Sequence, residues 1–231
     1  MKLLKFAIGN AKLKAGEAVF DLPAGHTCPF ALHCYAFADK KTGKIQDGPE
    51  LQFRCFAASL EAAFTNVRQK RWHNYDLLRG KSAEQMTDLI TKSIPDVKVV
   101  RIHASGDFFS LAYFDAWLAV ARAFPDRLFY AYTKALPLWT KRLEVIPSNF
   151  ILTASQGGTH DQLIKSHKLK SATVVTSAYR AKQLGLKLDH DDSLAKGPDS
   201  FALLIHGTQP AGTPAAKAWK RIKATTGVYS L

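Results

Sequence analysis

Val97-Lys98-Val99-Val100-Arg101-Ile102-His103-Ala104, followed after Ser105-Gly106-Asp107 by Leu111 to Phe124, decides how this chain of 231 residues folds. The first segment is rich in β-branched residues and reads as a strand. The second places Leu111, Phe114, Leu118 and Ala121 at helical spacing and reads as an amphipathic helix. The same alternation then recurs. Strands are expected at Arg127 to Thr133, Asn149 to Ser155, Thr173 to Ser177 and Phe201 to Ile205, with helices at Leu138 to Val145, from the pair Thr159/Gln162, at Ala178 to Leu184 and from Thr213-Pro214. With a short strand at Glu17 to Leu22, this makes six strand–helix units. Strands alternating with helices imply a parallel sheet with right-handed crossovers.

Two architectures fit that order, a doubly wound sheet and an open, partial (β/α)6 barrel. Both faces of a doubly wound sheet are covered, so its strands should be apolar throughout. Here Val100, Ile102 and Ala104 form one apolar face while Arg101, His103 and Ser105 point the other way. The next strand puts Tyr130, Tyr132 and Lys134 on one face, and the one after offers Thr153 and Ser155. Polar groups placed inside need partners, as in a barrel that holds a ligand. The expectation is a partial TIM-like barrel in a single domain, 1–231, with a cysteine loop at 23–56 and β/α repeats over 82–225. Between them, Glu50 to Arg79 reads as one helix, and Ser82 with Gln85 as the capping box of another that stops before Pro95.

Composition bounds the rest. The chain is 47% hydrophobic and 22% charged, as expected of a globular domain, and no apolar run approaches the roughly 20 residues of a membrane span. The opening Met1-Lys-Leu-Leu-Lys-Phe6 is too short for a secretory leader, so a reducing cytoplasm is expected. Net charge is +13, which favours nucleic acid or a phosphate-bearing small molecule as partner; a merely solvated surface has the same composition.

All three cysteines, Cys28, Cys34 and Cys55, fall in one Gly/Pro-shaped loop. Three thiols leave a remainder after pairing, which argues against a disulfide framework. Gathered thiolates suit a soft metal. The readings are a [4Fe-4S] cluster with one iron open to a small molecule, a Cys3His zinc site recruiting His26 or His33 on a nucleic-acid-binding protein, or three thiols that only pack. Cys55 near a helix start would be stabilised as thiolate. The strand ends place Ser105, Gly106 and Asp107 on the same rim as the loop, with Arg101 and His103 lining the cavity beneath. These five are the candidate cofactor-binding residues. The residues name no reaction, and a metal-free barrel acting on a phosphorylated metabolite fits the strand pattern equally.

A cysteine-bearing loop after the first strand, with a small-Gly-acid turn after the second, resembles the radical S-adenosylmethionine fold. That resemblance implies a [4Fe-4S] cluster on three cysteines and S-adenosylmethionine held by the turn. The spacing Cys-x5-Cys-x20-Cys departs from that family's tighter motif. As whole phrases, Leu22-Pro-Ala-Gly-His-Thr-Cys-Pro, Phe53-Arg-Cys-Phe-Ala-Ala-Ser, Arg71-Trp-His-Asn-Tyr-Asp-Leu-Leu, His103-Ala-Ser-Gly-Asp-Phe-Phe and His206-Gly-Thr-Gln are similar to a bacteriophage family known as gene product eighty-eight. It implies a phage origin, hence a host cytoplasm, and brings no established activity.

Overall fold

The computed structural model describes residues 2–9 and 16–226, so the extreme ends of the expected domain lie outside the described residues. In chain order come β1 (Phe6–Ile8), β2 (Glu17–Phe20), β3 (Ala36–Ala38), β4 (Ile45–Asp47), α1 (Phe56–Ala63), α2 (Thr65–Leu78) and α3 (Ala83–Ser93). Next are β5 (Val99–Ile102), α4 (Leu111–Ala123), β6 (Leu128–Thr133), α5 (Leu136–Thr140), β7 (Phe150–Ser155) and α6 (Gln162–Ser166). The last are β8 (Ser171–Val175), α7 (Ala178–Gln183), β9 (Phe201–Leu204) and α8 (Pro214–Thr226).

Seven strands form one sheet in the order β1-β2-β5-β6-β7-β8-β9; only β1 is antiparallel to its neighbour. The protein is therefore a mixed α/β domain with a mostly parallel sheet. The coarse expectation holds, but β1 and β9 remain edges, and no closed barrel is found among the described residues.

One face of the sheet carries Val100, Ile102, Phe129, Ala131, Phe150 and Leu152, packed with α3 and α4 through Met86, Ile90, Phe114, Trp117 and Leu118. Toward the other edge, Val175, Ala202 and Leu204 pack with Ala181 of α7 and Ala215, Ala218 and Ile222 of α8. The opposite face carries Tyr130 and Phe201, covered by Leu194 and Ala195 of the loop between α7 and β9. Period-2 alternation along the strands thus sorts helix-facing from loop-facing residues.

Local differences from expectation have local causes. The single helix expected over Glu50 to Arg79 is two, because Phe64 is extended (φ −122°, ψ 107°) and separates α1 from α2. Residues 52 and 53 stay outside it, their N–H groups donating to the His33 carbonyl. Antiparallel β3 and β4 form within the cysteine loop and are too short for a periodic signal. Thr159 does not cap α6; the Asp161 carboxylate instead accepts the N–H groups of Gly157 and Gly158 at 2.7 and 2.9 Å.

The Ser82 capping box does form: its hydroxyl accepts the Gln85 N–H at 3.3 Å, and the Gln85 side chain accepts the Ser82 N–H at 3.1 Å. Ser82→Ala should lower unfolding stability by about 1 kcal/mol. Urea titration should show a lower midpoint with an unchanged slope.

Candidate functional site

The cysteine loop is tied down along the C-terminal ends of the strands. The Leu22 N–H donates to the Ser105 carbonyl, those of Leu32 and His33 to the Gly157 carbonyl, and that of Arg54 to Gln209 Oε1. Gln209 returns its amide to the carbonyls of Arg54, His206 and Gly207. The loop therefore lies on the rim, where the strand order puts it.

Under the loop, Ser105-Gly106-Asp107 is fully engaged. The Ser105 hydroxyl donates to the Leu22 carbonyl at 2.8 Å, and its N–H to Asp21 at 2.9 Å. At Gly106 (φ +84°) a Cβ would lie 2.6 Å from both Leu22 Cβ and Thr27 Oγ1, so the glycine is required by the close approach of the loop. The Asp107 carboxylate accepts from Thr133 Oγ1 (2.5 Å), Lys134 N–H (2.8 Å) and Phe108 N–H (2.7 Å). Burial raises its pKa, and these hydrogen bonds oppose the rise. Lys134 directs its ammonium at Ser155 Oγ and at the carbonyls of Ser155 and Gln156, which accounts for its three donors. The turn joins the loop to two strand ends.

Arg101 and His103, expected side by side, part company. His103 has φ +69°, which ends the alternation of β5 and turns the ring toward the helix-covered face. There it packs against Phe108 and Tyr113, with Nε2 2.9 Å from the Tyr113 hydroxyl. Arg101 does reach the opposite face, where it meets a partner that no motif announced. Its guanidinium is 2.5 Å from Asp192 of the α7–β9 loop, which also accepts from the hydroxyls of Tyr130 and Tyr132 at 3.2 Å each.

The metal expectations require correction. No group of three or more His, Cys, Asp or Glu side chains is placed to hold a metal ion among the described residues, and all three cysteines are free, part-exposed thiols. The iron–sulfur protein read from Cys28, Cys34 and Cys55 is overturned on that finding, and the Cys3His zinc alternative with it. Burial pushes the thiols of Cys28 and Cys55 up, with smaller pushes from Asp107 and then the other two thiols at Cys28, and from Cys34 at Cys55, where the rise outweighs the Ala57 and Ala58 amides at the start of α1. His26 is held between the rings of Phe37 and Trp72, and His33 lies against Gly157.

A different surface stands out by charge. Residues 162–188 and 200–226 contain ten Lys and Arg and no Asp or Glu. Nine of the ten are exposed: Lys165 and Lys168 after the start of α6, Arg180, Lys182 and Lys187 on and after α7, and Lys217, Lys220, Arg221 and Lys223 on α8. None of the nine is in an ion pair among the described residues. Elsewhere several surface cations are paired, as in Lys40–Asp76, Lys92–Asp88, Lys98–Asp126 and Arg142–Asp115. Tyr179, next to Arg180 at the start of α7, is 70% exposed.

The Gene product 88 family model matches residues 1–225. The chain belongs to that family. It is 36% identical over 138 residues to the Gene 88 protein of Mycobacterium phage D29, covering 54% of this chain and 50% of the relative. It is 34% identical over 152 residues to the Gene 88 protein of Mycobacterium phage L5, covering 59% and 56%. The chain thus spans about half the length of the curated relatives it matches. No solved structure matches it, so the resemblance to the radical S-adenosylmethionine fold finds no structural neighbour.

Burial lowers the His103 pKa to about 3. The native imidazole resists protonation more than the unfolded one, so the stability it contributes is full above pH ~6.5 and is lost as pH falls toward 3. Over that window the wild-type chain should lose up to roughly 1.4 kcal/mol more per pH unit than His103→Gln. Denaturant titrations of both proteins at pH 7, 6 and 5 measure the difference; parallel pH profiles would refute it.

Proposed function

We propose that this protein binds nucleic acid through the layer formed by α6, α7 and α8, without a metal. The supporting observation is the run of nine exposed, unpaired cations on a surface with no carboxylate in its two stretches of sequence. A layer kept basic only for solubility would carry interspersed acids, as the rest of this surface does. Lys and Arg that meet phosphates release condensed counterions, which makes such a surface favour a polyanion over isolated anions. Tyr179 adds an exposed ring among the cations, the combination on which an unpaired base stacks.

The fold accounts for the layer. The order β7-β8-β9 follows the sequence, and right-handed crossovers between sequential parallel strands put successive helices on one side. We read the sheet accordingly as an open segment of a (β/α) barrel. On that reading α6, α7 and α8 are neighbours, and their outward charges add. No helix among the described residues is long and apolar enough to cross a membrane.

Binding of a fluorescent single-stranded oligonucleotide, measured between 50 and 300 mM salt, tests the reading. Replacing Lys217, Lys220, Arg221 and Lys223 of α8 together by Gln should weaken binding and reduce the log–log salt slope by roughly 3, at about 0.7 per lost phosphate contact on a single strand. Replacing Lys40, Lys81, Lys92 and Lys98 by Gln changes the net charge equally and should leave the slope nearly unchanged. Equal losses in the two variants, or no binding by the wild type at low salt, would overturn the proposal.

A further inference from the structure

The loop-covered face of the sheet holds a constellation that nucleic-acid binding by the helical layer does not use. Arg101 and Tyr130 are paired across β5 and β6, and Tyr132 follows on the same face. All three converge on one carboxylate. Asp192 Oδ2 receives Arg101 and the Tyr130 hydroxyl, and Asp192 Oδ1 receives the Tyr132 hydroxyl. Burial keeps both phenols protonated, so both act as donors. Arg101 Nε is buried and has no partner. The sheet presents five donor atoms, the three guanidinium nitrogens and the two phenols, and the two carboxylate oxygens take three of them. A tetrahedral oxyanion presents a third oxygen for Arg101 Nε.

We propose that Arg101, Tyr130 and Tyr132 form a binding site for a phosphoryl group, occupied in the structure by Asp192 as an internal stand-in. Asp192 is 6% exposed, whereas its neighbours His190, Asp191 and Ser193 are exposed, so the carboxylate enters the site from the tip of a surface loop. It does so in the left-handed conformation, φ +60°, that an aspartate adopts at a cost. Asp189, 2% exposed with Oδ2 unpartnered, faces the charges of Asp192 and Asp191. Withdrawal of the tip would relieve that repulsion and the left-handed backbone together.

The remainder of the loop is anchored independently. Lys170 Nζ donates to the carbonyls of Ala195 and Gly197 at 2.5 and 2.6 Å, and Leu194 and Ala195 pack under the sheet. Only the tip has to move. Glu17 also borders the site, 3.4 Å from the Tyr130 hydroxyl, and Lys196 at 2.5 Å offsets its charge. The ligand chemistry is a phosphoryl group, free or carried as a monoester; Arg recognises it bidentately and phenolic hydroxyls complete the shell.

Asp192→Ala in the full chain tests the site by thermal melting in inorganic phosphate, against sodium chloride at equal ionic strength. The variant should gain a saturable phosphate-dependent rise in Tm, about 3 °C at tenfold above half-saturation, that exceeds the wild-type response. Arg101→Gln in the Asp192→Ala background should abolish the rise. The α8 glutamine variant should keep it, which separates this site from the basic layer and lets either proposal fail alone. A second arm replaces phosphate by adenosine 5′-monophosphate. Half-saturation at a lower concentration assigns the site to a monoester, and equal response assigns it to free phosphate. If Asp192→Ala does not fold, Asp192→Asn keeps the shape and removes the charge. A variant that responds to phosphate no more than the wild type refutes the site.

Discussion

One buried carboxylate holds three parts of this molecule in register. Glu61 of α1 is 0% exposed, and its Oε1 accepts the Ala24 N–H at 2.8 Å and the Arg71 guanidinium at 2.9 Å and lies 3.3 Å from the Ser105 hydroxyl. The start of the cysteine loop, the two-helix hairpin α1–α2 and the end of β5 therefore meet on a single oxygen. Removing ions from water is costly, and the pair is tolerated because Arg71 also reaches the Ala57 carbonyl and hydrogen bonds satisfy most of what is buried. Burial still dominates at the carboxyl group, whose pKa is raised despite Arg71. The same junction sets the start of the loop beside the end of β5, where the loop closes on Gly106.

The two sides of the sheet then take different tasks. On the helical side, apolar residues of alternating parity pack against α3, α4, α7 and α8, and the exposed cations over α6–α8 have no ion-pair partner among the described residues. On the loop side, the chain supplies its own counterion: Asp192 neutralises Arg101, and Lys196 neutralises Glu17. Unpaired surface cations and a buried arginine paired by a loop are different electrostatic states. The first lies in water at high dielectric, and the second holds a charge out of water through one specific partner.

The elements legible in the chain were those with length and period. The strand Val99–Ile102 and the helix Leu111–Ala123 stand within three residues of their expected bounds, and the Ser82–Gln85 capping box forms as read. β3 and β4, three residues each, escaped because so short a strand has no period. His103 was misplaced because strict alternation was carried one residue too far, past a backbone that turns left-handed. The cysteines drew attention by rarity, yet burial leaves Cys28 and Cys55 as high-pKa thiols in a loop with no grouped ligands.

Sequence alone determined the α/β class, the alternation of strands with helices beyond residue 97 and the basic excess, because periodicity and charge are local sums over residues. It also determined family membership, which rests on phrases spread along residues 1–225. Tertiary structure decided which charges stay unpaired and which are neutralised. Asp192 lies 91 residues from Arg101 in the chain and 2.5 Å from it in space, and nothing in an acidic loop announces which arginine it will meet. Likewise only the fold places Glu61 beneath Ser105. Long-range pairing depends on where the sheet brings distant residues, and a buried charge is held by its partner rather than by its neighbours in sequence.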